Sequence, residues 1–382
     1  QMLPHLLTAS LRKTGETRTA CILVATSGDT GKAALDGFHD VPGTKIMVYY
    51  PVDGVSPMQK LQMATQEGAN VEVIAIHGNF DDAQSAVKRI FTDDETRAQL
   101  DRDGMMLSSA NSINWGRLAP QIAYYVSAYC DMVKAGTIRQ GDKINVCVPT
   151  GNFGNILAAY IAKQMGLPVN KFICASNRNN VLTDFFKKDG EYNRNRDFYT
   201  TTSPSMDILI SSNLERLLFF ASDFDDRMVA ELMAKLNGEG SYKVASDVFA
   251  KIAADFDAGC CDDEGTKETI RETFENYGYL CDTHTAVGVN VYEKYEKETG
   301  DKTPAVIDST ANPFKFSRSV LDAVMPGASE GLDEFATVSE LARVTKTSCP
   351  PQLADLRDKP VRFRDVCDRD SMEKAVFRLL GI

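Results

Sequence analysis

Residues 148 to 160, VPTGNFGNILAAY, run from a β-branched stretch through Gly-Asn-Phe-Gly-Asn into a helical pattern. Backbone N–H groups at a helix start, with glycines that permit close approach, make a cup for phosphate. No lysine or Mg²⁺-binding residue flanks the turn, so the anion it suits is a monoester and not a polyphosphate. A plain strand-to-helix turn is the competing reading. A second glycine turn, Ser-Gly-Asp-Thr-Gly at 27–31, interrupts TACILVATSGDTGKAALDGF. A Walker-type loop needs glycine five residues before Gly31 and a hydroxyl after Lys32, but Thr26 and Ala33 stand there. The dinucleotide pattern G-x-G-x-x-G fails too, because the turn has only Gly28 and Gly31.

In SSANSINWGRLAP (108–120), Asn111, Ser112, Asn114 and Arg117 follow a strand end into a helix. Two amides, a hydroxyl and a guanidinium in one turn can chelate a second anion, with arginine supplying paired donors. The alternative is an Asn/Ser helix cap beside a solvated Arg117. DSTANPFKF (308–316) closes an apolar run with Ser309, Thr310, Asn312 and Lys315, or is simply an Asn-Pro turn. His284, in CDTHTAVG, reads as a capping or core residue, and the four histidines lack metal-ligand spacing. Cys260-Cys261 precede three acidic residues without a CxxC or histidine partner, so no metal is expected. Arg178 reads as a solvated side chain.

These turns need elements to hold them. ACILVAT, KIMVYYP (45–51), VEVIAIH (71–77) and MLSSAN (106–111) read as strands, with helical stretches from near Gly31, Met58 and Asp81 between them. That rhythm, at crossovers of about two dozen residues, belongs to a parallel sheet. One long helix is expected over 115–136. A second α/β series begins at INVCVPT (144–150), continues with KFICASN (171–177) and ends on AVIDSTA (305–311). Residues 213–280 read as a mostly helical, acidic block, and the tail after 330 ends in the helical run SMEKAVFRLLGI. The expected fold is α/β: two doubly wound domains with mainly parallel sheets. Their bounds are 1–138 for a smaller domain, N-terminally incomplete, and 139–330 for a larger one with a helical insertion at 213–280. A C-terminal extension covers 331–382.

The 382 residues are 43% hydrophobic and 25% charged, ordinary for a globular chain. A net charge of -11 provides no basic field for nucleic acid or an anionic membrane surface. No apolar run approaches the roughly 18 residues of a membrane span, and no signal peptide is evident. Nine scattered cysteines, among them Cys21, Cys147 and Cys174 within apolar runs, fit reduced core thiols and a cytoplasmic setting. The chain opens on Gln1, in the middle of an amphipathic helical pattern.

ATSGDTGKAA, NSINWGR, PTGNFGN, DTHTAVG and STANPFKF, in this order, resemble the set that marks threonine synthases of the long form, from residue 1 to about 330. Those are pyridoxal-phosphate enzymes of the tryptophan-synthase-β fold type (fold type II), with the cofactor in the cleft between the domains. The resemblance implies that Gly151, Asn152, Phe153, Gly154 and Asn155 hold the phosphate of pyridoxal 5'-phosphate. Asp29 would lie near the ring hydroxyl, and Thr310 or its neighbour Ser309 would face the pyridine nitrogen. Asn111, Ser112, Asn114 and Arg117, with Lys315 as a further candidate, would grip the phosphate of O-phospho-L-homoserine. The implied reaction is β,γ-elimination and replacement, giving L-threonine and phosphate as the last step of threonine biosynthesis, by a monomer or homodimer.

Two positions depart from the family pattern. Asn312 replaces the usual histidine of S-T-A-H-P, and the Ala-Phe-Lys-Asp motif of the Schiff-base lysine is missing from the chain. Lys13 and Lys32 match nothing in that motif, so the resemblance places the catalytic lysine upstream of Gln1 and implies that the chain alone is inactive. Rival readings are a dehydratase of the same fold type, which needs no second anion grip, and a phospho-lyase, which keeps that grip but omits hydration. A non-catalytic binder of phosphorylated metabolites is the rival of another class.

Overall fold

A computed structural model describes residues 2–381 except 27, 54 and 79. The chain forms two compact units, Gln1–Arg117 with Cys349–Ile382, and Leu118–Ser348.

In the first unit, β1 (Thr19–Ala25) is buried along all but its first residue. A continuous apolar run of this kind suits a parallel strand covered on both faces. It pairs with β2 (Thr44–Pro51) and β4 (Met105–Ser109), while β2 pairs with β3 (Val71–His77). A C-terminal strand, Val366–Asp368, adds to the free edge of β3, and all these pairings are parallel. Helices Asp29–Phe38, Pro57–Ala64, Phe80–Thr92 and Asp94–Arg102 make the crossovers, the first three starting within two residues of the expected points and the fourth not expected. Ile22, Val24, Ile46 and Val48 face Leu35, Phe38 and Met63, whereas Leu23, Met47, Tyr49 and Ile74 face Val87, Ile90, Met372 and Val376. The chain steps outward from β1 to β2 and β3, then returns to the other side of β1 as β4. The direction of winding therefore reverses between β1 and β4, the place where open α/β sheets bind ligands.

The second unit repeats that pattern. β5 (Ile144–Pro149), β6 (Val169–Ser176), a short antiparallel ribbon of β7 (Glu191–Asn193) and β8 (Ser241–Lys243), β9 (Phe256–Cys260) and β10 (Ala305–Ile307) follow in order. The main sheet runs β10-β5-β6-β9, all parallel, so winding reverses between β5 and β10. Its core holds Val146, Val148, Ile156, Leu157 and the rings of Phe153, Phe172, Phe186 and Phe256. Cys147 and Cys174 are fully buried in its strands, and in the first unit burial pushes the Cys21 thiol up to about 12.

Four expectations differ from what is observed. The boundary falls at 117/118 and not near 138, because Tyr125 and Tyr129 of helix Ile122–Lys134 are buried in the second unit's core. The long helix expected over 115–136 is broken into Trp115–Leu118, a 3₁₀ turn at Ala119–Gln121 and Ile122–Lys134. Pro120 lacks the N–H that a continuous helix would use there. The block 213–280 contains the edge strand β9 as well as helices. The C-terminal extension is divided, residues from Cys349 onward joining the first unit. No helix among the described residues is long and apolar enough to cross a membrane.

Candidate functional site

The Gly-Asn-Phe-Gly-Asn turn follows β5 at the reversal point. Thr150 sets it: its Oγ1 donates to Asn155 Oδ1 at 2.6 Å and accepts the Phe153 N–H at 3.2 Å. Asn155 Nδ2 in turn donates to Pro149 O at 3.1 Å, and Asn155 Oδ1 accepts the Ile156 N–H at 3.0 Å. Phe153 sits at φ 63°, a left-handed conformation costing a non-glycine residue about 1 kcal/mol or more. Its ring is wholly buried, with centroids 6.1 Å from Phe186 and 5.9 Å from Phe256, and that packing offsets the strain. Phe153 therefore serves the turn through its backbone. Helix Gly154–Gln164 starts here, so its first N–H groups have no carbonyl one turn earlier. Among the described residues no acceptor meets the N–H groups of Asn152, Gly154 and Asn155.

A second segment, 203–213, walls this turn. A Cβ added at Gly151 would lie 3.1 Å from Ser205 O and from Met206 Cα. Ser211 Oγ donates to Gly151 O at 2.7 Å, and Ser212 Oγ donates to Asn152 Oδ1 at 3.3 Å. The wall is itself fixed by Asp207, whose Oδ1 accepts from Thr201 Oγ1, Asn177 Nδ2 and Asn179 Nδ2 at 2.7, 2.7 and 2.9 Å. Burial pushes the Asp207 carboxyl above its ordinary value, against those donors.

On the other side of the reversal, Asp308 follows β10 and donates its N–H to Cys147 O at 2.9 Å. Tyr125 Oη lies 2.9 Å from Asn155 O and 3.3 Å from Asp308 Oδ2, joining the two turns. Burial raises the Asp308 carboxyl, although Tyr125 and Asn155 donate to it. Thr310 is exposed just beyond. Ser309 Oγ lies 3.3 Å from Thr285 Oγ1 and 3.2 Å from Tyr279 Oη. Asn312 Oδ1 accepts the Phe314 N–H at 3.0 Å, capping the 3₁₀ turn Pro313–Phe316 that carries half-buried Lys315.

His284 is a buried bridge. Its Nε2 accepts the Ser205 N–H at 3.2 Å, so Nδ1 bears the proton and donates to Asp282 Oδ1 at 3.1 Å. Asp282 caps helix Thr283–Thr299 and accepts from Thr285 Oγ1. Burial alone would raise its pKa; the donors from His284 and Thr285 outweigh that and hold the carboxyl below its ordinary value. Arg178 is exposed but stacks over Tyr199, 3.7 Å from the ring centroid.

The first unit carries the other turns. Ser27 lies outside the described residues. Thr26 Oγ1 accepts the N–H groups of Gly28 and Gly31 at 3.0 and 2.9 Å. Gly28 has φ 141°, and a Cβ there would meet the Gln59 side chain at 2.5 Å. Gln59 Nε2 donates to Asp29 Oδ1 at 2.9 Å, while a capping box with Ser56 fixes Gln59. Across the reversal, Asn111 Nδ2 donates to Ala25 O at 2.9 Å and so joins the ends of β4 and β1. Asn114 Nδ2 donates to Ser109 O at 2.6 Å, and Arg117 Nη1 donates to Ala110 O at 2.9 Å. Ser112 is half-buried in the same loop.

The expected site residues are thus grouped as Asp29, Asn111, Ser112, Asn114 and Arg117 in the first unit, and Gly151–Asn155, Thr310 and Lys315 in the second. In each unit they lie at the carboxyl ends of the two strands that flank the reversal. Sequence reading missed Thr150, Tyr125, Asp308 and the 203–213 wall; only the polar triplet Ser211-Ser212-Asn213 inside an apolar stretch signals the last. The turn at 151–155 fits a phosphate-bearing group: a side chain at Gly151 would crowd the wall, and the helix N–H groups face no protein acceptor. Ser176, ending β6 next to β5, adds a buried hydroxyl with no partner among the described residues.

Residues 2–309 match the family described as pyridoxal-phosphate dependent enzyme, and residues 285–376 match threonine synthase, C-terminal. A human protein named threonine synthase-like 1 is 44% identical over 310 residues, 79% of this chain and 41% of that protein. Threonine synthase of Saccharomyces cerevisiae is 35% identical over 345 residues, 87% of this chain and 65% of the yeast protein. Both of these relatives are therefore spanned over less than two thirds of their length. The crystal structure of pyridoxal-phosphate-bound threonine synthase from Brucella melitensis superposes with a TM-score of 0.82 at 35% identity, covering 98% of this chain and 74% of that one.

Proposed function

This chain belongs to the threonine synthase family of pyridoxal-phosphate-dependent enzymes, and from that premise we propose that its reaction converts O-phospho-L-homoserine and water to L-threonine and phosphate. The observation that carries the proposal is the anion cup at 151–155, walled by 203–213 at a winding reversal. Bound pyridoxal phosphate supplies an electron sink for negative charge developed at the substrate's α-carbon.

The N–H groups of Asn152, Gly154 and Asn155, with the positive end of helix Gly154–Gln164, would hold the cofactor phosphate. Thr310 would present a neutral hydroxyl to the ring nitrogen, leaving that nitrogen without a carboxylate to enforce its protonation. Asp29, oriented by Gln59, is assigned to the ring hydroxyl. Asn111, Ser112, Asn114, Arg117 and Lys315 are assigned to the substrate phosphate. They would orient it and stabilise the charge that grows as it departs. Asn111 and Asn114 spend amide donors on backbone carbonyls, so their share of this work includes shaping the loop that presents Arg117.

Product analysis tests the proposal. With O-phospho-L-homoserine and saturating pyridoxal phosphate, the protein carrying this sequence should release threonine and phosphate in equal amounts. Phosphate accompanied by 2-oxobutyrate instead of threonine would identify a phospho-lyase and refute the hydration step.

A further inference from the structure

Three side-chain or backbone donors converge on two carbonyls of the 151–155 turn from outside it. Ser211 Oγ donates to Gly151 O at 2.7 Å. The N–H and Nδ2 of Asn213 donate to Asn152 O at 3.1 and 2.9 Å. Asn213 is fully buried, and its Oδ1 accepts from Arg216 Nη1 at 2.6 Å. Ser211 is fixed as well: its N–H donates to Tyr192 Oη at 2.8 Å, and Tyr192 stacks on Tyr242 with centroids 5.2 Å apart.

A trans peptide is planar, so a carbonyl and the following N–H point in opposite directions. Holding Gly151 O toward Ser211 therefore turns the Asn152 N–H to the opposite side, where no protein acceptor among the described residues meets it. Holding Asn152 O toward Asn213 likewise turns the Phe153 N–H away, onto Thr150 Oγ1 at 3.2 Å. Buried carbonyls need partners in any fold. Here, however, the partners fix which way the peptide units face before any ligand arrives, and an anion then finds donors that need not reorient.

We propose that Ser211 and Asn213, the latter locked by Arg216, are positioning residues that pre-set the cofactor-phosphate cup by gripping its carbonyls from the rear. The inference rests on reading 151–155 as that cup. None of the three touches the ligand. Their effect is specific to the phosphate end of the cofactor and indifferent to its ring.

The test compares pyridoxamine 5'-phosphate with pyridoxamine, two probes that bind without a Schiff base and differ only in the phosphate. Titration calorimetry on the whole chain gives the ratio of their affinities. The wild-type chain should prefer the phosphorylated probe. Ser211→Ala should cut that preference about five- to tenfold, the loss expected of one buried hydrogen bond. Pyridoxamine affinity should stay within about twofold, and Ser211→Thr, which keeps the hydroxyl, should restore the ratio. Asn213→Ala should cut it further, but removes a fully buried side chain and can unfold the unit, so Ser211→Ala is decisive. An unchanged ratio in Ser211→Ala, whatever happens to its melting temperature, overturns the inference and leaves the cup standing. A wild-type chain that binds both probes alike overturns the cup, and this inference with it.

Discussion

Gly151→Ala places a methyl group where there is little room for one. The added Cβ would lie 3.1 Å from Ser205 O and Met206 Cα and 3.2 Å from Ile208 Cγ1. The first two are backbone atoms, which cannot rotate aside as a side-chain tip would. Gly151 does not have a positive φ, so alanine can adopt its conformation and the cost is steric alone. Overpacking costs about 1–3 kcal/mol, and alanine's narrower unfolded ensemble returns about 0.4–1 kcal/mol. The net loss of about 1–2 kcal/mol lowers the melting temperature of a unit this size by about 4 °C. Relief requires the cup and its wall to separate by a few tenths of an ångström, so affinity for pyridoxamine 5'-phosphate should fall about tenfold. Gly238→Ala is the matched control. Gly238 ends helix Asp226–Gly238 with nothing within 4 Å of its would-be Cβ, and alanine there should raise stability by about 0.5 kcal/mol. Thermal unfolding and calorimetric titration of both variants decide the matter. If Gly151→Ala melts at or above the wild-type temperature and binds the probe normally, the wall does not press on the turn, and the reasoning fails.

Arg117→Ala should lower affinity for O-phospho-L-homoserine about tenfold or more, as expected for a lost charge-assisted contact, and leave pyridoxamine 5'-phosphate binding intact. Equal loss of both in calorimetric titration would show that Arg117 only braces its loop through Ala110. Asp282→Asn should destabilise the second unit by about 1–3 kcal/mol at pH 7, by urea unfolding, because Thr285 loses its carboxylate acceptor. The folded pKa of Asp282 is depressed, so its contribution is complete above about pH 4, the ordinary carboxylate value, and is lost as pH falls through the folded value. The gap between wild type and Asp282→Asn should therefore narrow in acid. A gap that is constant or widens there would mean that the carboxylate charge is not what stabilises the site.

Local pattern made the glycine turns after β1 and β5 legible. Each follows a buried apolar strand, and these signals survive without knowledge of what packs beside them. The parallel character of both sheets was readable from the rhythm of apolar runs, such as residues 20–25, alternating with helical crossovers of about two dozen residues. β9 was not readable: Asp257 and Gly259 interrupt its pattern, and only pairing with β6 makes it a strand. The grip of Ser211 and Asn213 on the cup spans about sixty residues of chain, so no local window contains both partners. Asn111 and Asn114 show another kind of ambiguity. An amide can grip a ligand or cap its own loop, and residue type alone does not distinguish the two. Pro120 is the opposite case, a break that was present in the sequence and outweighed by the apolar periodicity around it.

The second unit is continuous in the chain, while the first is assembled from both ends around it. During synthesis the second unit can therefore leave the ribosome whole and fold at once. The first cannot. Until the strand Val366–Asp368 emerges, the edge of β3 carries unpaired backbone groups, and the apolar face of Ile74 and Ile76 waits for Met372 and Val376. While it stays open, this edge is the nascent chain's weak point, a surface where neighbouring nascent chains would mispair. Changes that remove residues 366–380 should thus act mainly through aggregation, leaving intact a second unit that folded long before.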